Sequence, residues 1–214
     1  MSLAVNEIFH SIQGESLWAG LPCVFIRLAG CNLRCAYCDT RYAYADGTPK
    51  SIMKIIADIA GFACPLVEIT GGEPLYQKET PLLVDKLIEL DYEVLLETNG
   101  SFDISVLNDA CVKIVDMKCP SSGESEKNDL KNLSRLKARD QLKFVISGDA
   151  DYGYAKNTLQ LLPPAFPGHQ VLFSPAHGRM APEKLAQWML RDKLNVRLHL
   201  QLHKIIWPHS KRGV

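Results

Sequence analysis

Cys31, Cys35 and Cys38 stand in a Cys-x3-Cys-x2-Cys spacing within Gly30-Cys31-Asn32-Leu33-Arg34-Cys35-Ala36-Tyr37-Cys38. Thiolates are soft ligands that suit zinc or iron–sulfur centres. A structural zinc ion takes four ligands in a closed tetrahedron, and ferredoxin clusters take four thiolates at other spacings. Three thiolates leave one iron of a cubane without a protein ligand, the opening a small molecule needs to bind that iron. Zinc remains the alternative on these residues alone. Of the other cysteines, Cys23, Cys64 and Cys111 lie in or beside apolar segments, where free cysteine behaves as a small buried hydrophobe. Cys119 sits in a polar loop, and packing is again the expected role.

Three further groups of residues carry possible chemistry. Thr70-Gly71-Gly72-Glu73-Pro74 follows an apolar run, and its two glycines let backbone approach a ligand closely. Arg27 interrupts the apolar Val24-Phe25-Ile26-Arg27-Leu28, a costly place for a charge without a partner. Either a salt bridge holds it or its planar fork binds a substrate carboxylate. Asp39-Thr40, just past the third cysteine, reads as a turn pair or as a hydroxyl able to hold Mg2+, a hard cation that keeps open positions for substrate oxygens.

The elements that must position these groups alternate. Short runs rich in β-branched residues predict strands over Cys23–Ala29, Leu66–Thr70, Glu93–Glu97, Val112–Asp116, Gln141–Ile146, Gln170–Phe173 and Arg197–Leu202. Between them, 3.6-residue periodicity predicts helices over Ser51–Ala60, Glu79–Leu90, Leu130–Lys137, Tyr152–Leu162 and Pro182–Arg191, the first capped by Thr48 and Pro49. Such alternation gives right-handed βαβ units and a parallel sheet. A closed eight-stranded barrel typically takes about 250 residues, so the 214 here predict an α/β fold: an open, partial TIM-like barrel of six to seven parallel strands. Polar motifs follow the strands in phase, at Gly30–Thr40, Gly71–Pro74, Thr98–Gly100, Met117–Ser121, Ser147–Asp151 and Ser174–Gly178. Loops at that end of a parallel sheet build active sites.

The cysteine spacing, with aromatic Tyr37 before its third thiol, resembles the signature of the radical S-adenosylmethionine (SAM) superfamily, and Gly71-Gly72-Glu73-Pro74 resembles its second signature. The resemblance implies a [4Fe–4S] cluster on Cys31, Cys35 and Cys38, with SAM on the open iron. It places Tyr37, Gly72 and Glu73 at SAM, Glu73 receiving its ammonium. Asp116, Met117 and Lys118 would join them, as would Ser174, Pro175, Ala176 and His177 from a later loop.

Within that superfamily, Asn6–Ser16, Arg27, Asp39-Thr40, Asp116–Gly123 and Gln201–Trp207 together resemble the 7-carboxy-7-deazaguanine synthase family. What this implies is a Mg2+-dependent homodimer that turns 6-carboxy-5,6,7,8-tetrahydropterin into 7-carboxy-7-deazaguanine with loss of ammonia. An adenosyl radical would take the C6 hydrogen and SAM would be regenerated. Ile12, Gln13, Gly14 and Thr70 would contact the pterin, Arg27 its carboxylate and Thr40 the Mg2+. An electron donor such as flavodoxin would reduce the cluster. A glycyl-radical activase, which shares both signatures but consumes SAM, is the rival enzyme; an iron–sulfur or zinc carrier is the non-enzymatic one, with no use for polar motifs after successive strands.

Composition narrows the partners. The 24 basic and 24 acidic side chains cancel, which gives no electrostatic reason for a nucleic-acid or membrane partner. Met1–Ser16 lacks the apolar run of a secretory leader, and clustered thiols point to a reducing compartment, so a cytoplasmic setting is expected. The chain is read as one domain, with residues 1–21 as a substrate-contacting extension, 22–203 as the barrel core and 204–214 as a tail.

Overall fold

The computed structural model describes residues 1–209 and 212–214; Ser210 and Lys211, in the expected tail, lie outside the described residues. Nine strands, β1 (Ser2–Ile12), β2 (Pro22–Leu28), β3 (Thr48–Ser51), β4 (Leu66–Gly71), β5 (Glu93–Thr98), β6 (Val112–Met117), β7 (Gln141–Ile146), β8 (Val171–Pro175) and β9 (Arg197–Leu198), join in one sheet. Its order is β3-β1-β2-β4-β5-β6-β7-β8-β9. From β2 onward the seven strands β2 and β4 to β9 run parallel in sequence order. The end strands β3 and β9 do not pair, so the barrel is open. Among the described residues no helix is long and apolar enough to cross a membrane.

Helices α1 (Ile52–Ala60), α2 (Thr80–Glu89), α3 (Asn132–Arg135), α4 (Asp149–Leu159), α5 (Pro182–Arg191) and α6 (Leu202–Ile206) complete the chain. In α1, Ile52, Ile55 and Ile59 form one buried stripe, and each such side chain contributes about 1.5–3 kcal/mol by leaving water. Ser51, not Thr48, caps it, its hydroxyl accepting from the Lys54 N–H at 3.2 Å.

Several boundaries differ from the pattern-based expectation, each for a physical reason. The N-terminal segment is a strand: β1 pairs antiparallel with β2 and with β3. Its polar Asn6, Glu7 and His10 mask an alternation in which Leu3 and Val5 are buried. Thr48 and Pro49 belong to the short edge strand β3, where proline costs no ladder bond on the free side. Helix α4 starts at Asp149 rather than Tyr152, because Asp149 and Asp151 favour the positive end of the helix dipole. Only Arg197–Leu198 of the expected last strand is extended, and Leu202 opens α6 instead.

Candidate functional site

One cavity of about 340 Å³ opens at the C-terminal ends of the strands. Six neighbouring strands supply its wall: Ile12 from β1, Phe25 and Arg27 from β2, Glu68 and Thr70 from β4, Glu97 from β5, Asp116 from β6, Lys143 and Val145 from β7. The spacing of two within β2, β4 and β7 puts each pair on the same face of the sheet. Cys31, Cys35 and Cys38 line the cavity as well.

The cysteine loop is sewn to the glycine turn. Gly72 N–H donates to the Leu28 carbonyl at 3.0 Å and Glu73 N–H to the Gly30 carbonyl at 2.8 Å. A Cβ on Gly72 would lie 2.2 Å from the Gly30 oxygen and 2.9 Å from Cys31 Cβ, so only glycine permits the approach. On its far side the loop is held by residues after β6: Ala36 N–H donates to the Ser122 carbonyl at 2.9 Å and Arg34 N–H to Glu124 at 2.8 Å. Burial raises the thiols of Cys31 and Cys35, while Lys118 acts to lower both. Among the described residues no three His, Cys, Asp or Glu side chains are arranged to hold a single metal ion. The three thiols that line the cavity are soft donors suited to an iron–sulfur cluster, and a closed structural zinc site would need a fourth ligand.

Beside the cysteines, Tyr37 Oη and Asp116 Oδ1 are buried without a hydrogen-bond partner. Buried polar atoms are seldom left so, and both belong to residues of the cavity wall, where a ligand's hydroxyls and amines would satisfy them. Lys118 Nζ pairs with Asp116 at 2.9 Å; burial would lower the lysine, but Asp116 holds it above its usual value.

Asp116 joins this side of the cavity to a buried charge network. Lys143 Nζ meets Glu15 at 2.8 Å, Asp116 at 3.6 Å and Glu97 closer still. Burial would raise Glu15, yet Lys143, His199 and His203 bring it well below its usual value. Glu68 accepts a hydrogen bond from the Gln13 amide; burial, then the Glu97 and Glu15 charges, push its carboxyl up to about 8. At the rim, Lys204 pairs with Asp39 at 2.7 Å, and Asp39 accepts from the Thr40 hydroxyl at 2.9 Å. Leu202 N–H donates to the Gly14 carbonyl at 2.9 Å, and a Gly14 Cβ would strike the His203 ring at 2.3 Å.

Comparison with known proteins adds to this geometry. The radical SAM superfamily model matches residues 25–119. A 7-carboxy-7-deazaguanine synthase of Koribacter versatilis is 42% identical over 226 residues, covering 99% of this chain and 100% of its own. One from Chlorobaculum tepidum is 43% identical, covering 99% and 97%. The chain belongs to the 7-carboxy-7-deazaguanine synthase family. The solved structure of QueE from Escherichia coli, 24% identical, superposes with a TM-score of 0.79 over 94% of each chain, a likeness of fold.

For a member of the 7-carboxy-7-deazaguanine synthase family, most residues singled out in the sequence gather at this one cavity. Ile12, Gln13, Gly14, Arg27, Tyr37, Thr40, Thr70, Gly72, Asp116, Lys118, Ala176 and His177 all line it with the three cysteines. Four others are placed behind the wall. Glu73 is fully buried, and its carboxylate accepts from Leu75 N–H, Thr98 Oγ1 and Asn99 N–H at 2.9, 2.8 and 2.6 Å. It fastens the turn after β4 to the end of β5. Met117 is a core side chain. Ser174 and Pro175 are buried in β8, the serine facing His199 Nδ1 at 3.5 Å. The Ser147–Asp151 motif also turns inward, Asp151 accepting from Ser121 and Ser147 N–H.

Arg27 is held by a salt bridge: its Nε donates to Glu7 at 2.7 Å from the paired position on β1, and the residue also lines the cavity. Glu68, Glu97 and Lys143 were not anticipated, although each is a charge inside an apolar strand, the same signal that marked Arg27. Asn99 was missed too; its amide lies 3.9 Å from the Cys31 sulfur.

The Glu68 proton has a consequence for stability. Its folded value, about 8, is above the ordinary carboxyl value of 4.5, so the folded state holds a proton that the unfolded chain releases. That contribution is complete below pH 4.5 and disappears as pH rises through 8. Urea unfolding at pH 5, 7 and 9 is expected to show a steeper loss of stability with pH for the native sequence than for Glu68→Gln. Identical slopes would mean that Glu68 is ionised in the fold.

Proposed function

We propose that this chain is a radical SAM 7-carboxy-7-deazaguanine synthase that converts 6-carboxy-5,6,7,8-tetrahydropterin to 7-carboxy-7-deazaguanine with release of ammonia, in a Mg2+-dependent reaction. The observation that carries the reading is the cavity in which the three cysteines, Arg27 and the Ile12–Gly14 segment meet. When bound, the [4Fe–4S] cluster and SAM would supply a 5′-deoxyadenosyl radical for hydrogen-atom abstraction at C6 of the pterin. Cys31, Cys35 and Cys38 hold the cluster. Tyr37, Asp116 and Lys118, with backbone at Gly72, Ala176 and His177, hold SAM. Ile12, Gln13, Gly14 and Thr70 orient the pterin, Arg27 takes its carboxylate, and Thr40 holds Mg2+. The reading includes a homodimer in a reducing cytoplasm, reduced by an electron donor such as flavodoxin.

The test is anaerobic reconstitution with carboxypterin, SAM, reductant and Mg2+. Many moles of deazaguanine product per mole of 5′-deoxyadenosine are expected. Stoichiometric 5′-deoxyadenosine with no heterocyclic product would replace this reading by the activase. Thr40→Ala is expected to weaken apparent Mg2+ affinity by roughly 10–100-fold, the scale of metal-shell substitutions, and to slow turnover. An unchanged Mg2+ titration removes Thr40 from the metal site.

A further inference from the structure

Five permanent cations line the cavity: Arg27, Lys118, Lys143, Lys204 and Arg212. Four are committed to carboxylates, Arg27 to Glu7, Lys118 to Asp116, Lys143 to Glu15 and Glu97, and Lys204 to Asp39. Of these five cavity-lining cations, Arg212 alone has no carboxylate partner among the described residues. Its guanidinium carbon lies 4.2 Å from the centroid of the Tyr42 ring. The Arg27 guanidinium lies 5.8 Å from the same centroid. Tyr42 Oη in turn donates to Glu7 Oε1 at 2.9 Å, the oxygen that also accepts from Arg27 Nε.

The charge count of this corner decides what it can bind. Glu7 neutralises Arg27, so the pair by itself offers no net attraction to an anion, and an unpaired carboxylate taken out of water is costly. Arg212 restores one positive charge. A guanidinium held against an aromatic ring keeps its N–H donors in its own plane, available to a carboxylate fork.

We infer that Arg212 is a substrate-binding residue, supplying the uncompensated guanidinium that, beside Arg27, receives the carboxylate of the pterin. This deepens the carboxypterin reading above and rests on it. Tyr42 is the platform that positions Arg212, and Glu7 holds Arg27 in register.

The test compares native enzyme, Arg212→Ala and Arg212→Lys, each reconstituted anaerobically and loaded with SAM and Mg2+. Equilibrium dissociation constants are measured for 6-carboxytetrahydropterin and for a tetrahydropterin lacking the carboxylate. Arg212→Ala is expected to weaken the carboxylated ligand by about 10–100-fold, the scale of one charge-assisted hydrogen bond. The analogue should change by less than about two-fold, since it makes no such bond. KM should rise more than kcat falls, and Arg212→Lys should recover part of the loss, a point charge without the fork. Equal binding of the carboxypterin by native and Arg212→Ala protein, with native turnover intact, overturns the role of Arg212 alone. An equal loss for both ligands reassigns Arg212 to shaping the cavity and likewise overturns it. Native enzyme that neither binds nor converts the carboxypterin overturns the functional reading, and this inference with it.

Discussion

Replacing Cys31, Cys35 or Cys38 singly by Ala is expected to abolish product formation and to strip iron and sulfide from the reconstituted protein. Each cysteine would provide one of only three protein ligands, so no spare thiolate can substitute. Cys23, Cys64, Cys111 and Cys119 are buried and absent from the cavity wall. The loss should not come from unfolding. Cys31 and Cys38 are partly exposed, and the loop is held by backbone contacts to Gly30, Ser122 and Glu124. A chain of this size shifts its Tm by about 2–4 °C per kcal/mol, and a change within that range is expected. Cys119→Ala is the matched control: its thiol is fully buried in the core beside Met117, so it should cost stability while keeping full iron content. Iron per chain in Cys31→Ala equal to that of the native protein would remove the cluster from this loop.

Lys143→Ala is expected to destabilise the fold by about 3–5 kcal/mol, the cost of leaving buried charges without their partner. At about 2–4 °C per kcal/mol this is a fall of roughly 6–20 °C in Tm. The lysine is buried between Glu15, Glu97 and Asp116, and all three close on its Nζ. With it gone, Glu15, Glu97 and Asp116 lose the cation they share, and Glu15 loses the charge that holds its pKa down. The variant should therefore regain stability as pH falls, because protonation in the folded state removes the unpaired charge. Lys143→Met separates charge from volume: it refills most of the space and should remain destabilised. Adding Glu97→Gln to Lys143→Met should recover part of the loss, a coupling of about 0.5–3 kcal/mol for groups in contact. A stable Lys143→Met protein would show that packing, not charge, sets the effect. Turnover should fall in step, since Glu15 follows directly on Gln13 and Gly14, which line the cavity.

The parallel strands were legible because each is an apolar run bounded by turn residues. β7 and α5 match their predicted limits, Gln141–Ile146 and Pro182–Arg191. β1 was not, because it is only partly covered and carries Asn6, Glu7 and His10 among its buried Leu3 and Val5. The short β9 was overextended because Arg197–Leu202 alternates like a strand, although tertiary contacts from Gly14 draw Leu202 into a helix.

The cysteine spacing and the glycine turn were determined by the sequence alone, since each depends on residues close in the chain. Tertiary structure decided which side chains face the ligand and which hold the wall. Glu73 and Lys118 both look like loop charges in the sequence, yet the first is consumed by three internal donors and the second lines the cavity. The buried lysine with its carboxylates and the meeting of Arg27, Tyr42 and Arg212 join residues as far apart as 128 and 185 positions. Local pattern carries no information about such pairings, because the energy that fixes them is long-range burial of charge and appears only once the sheet has curled.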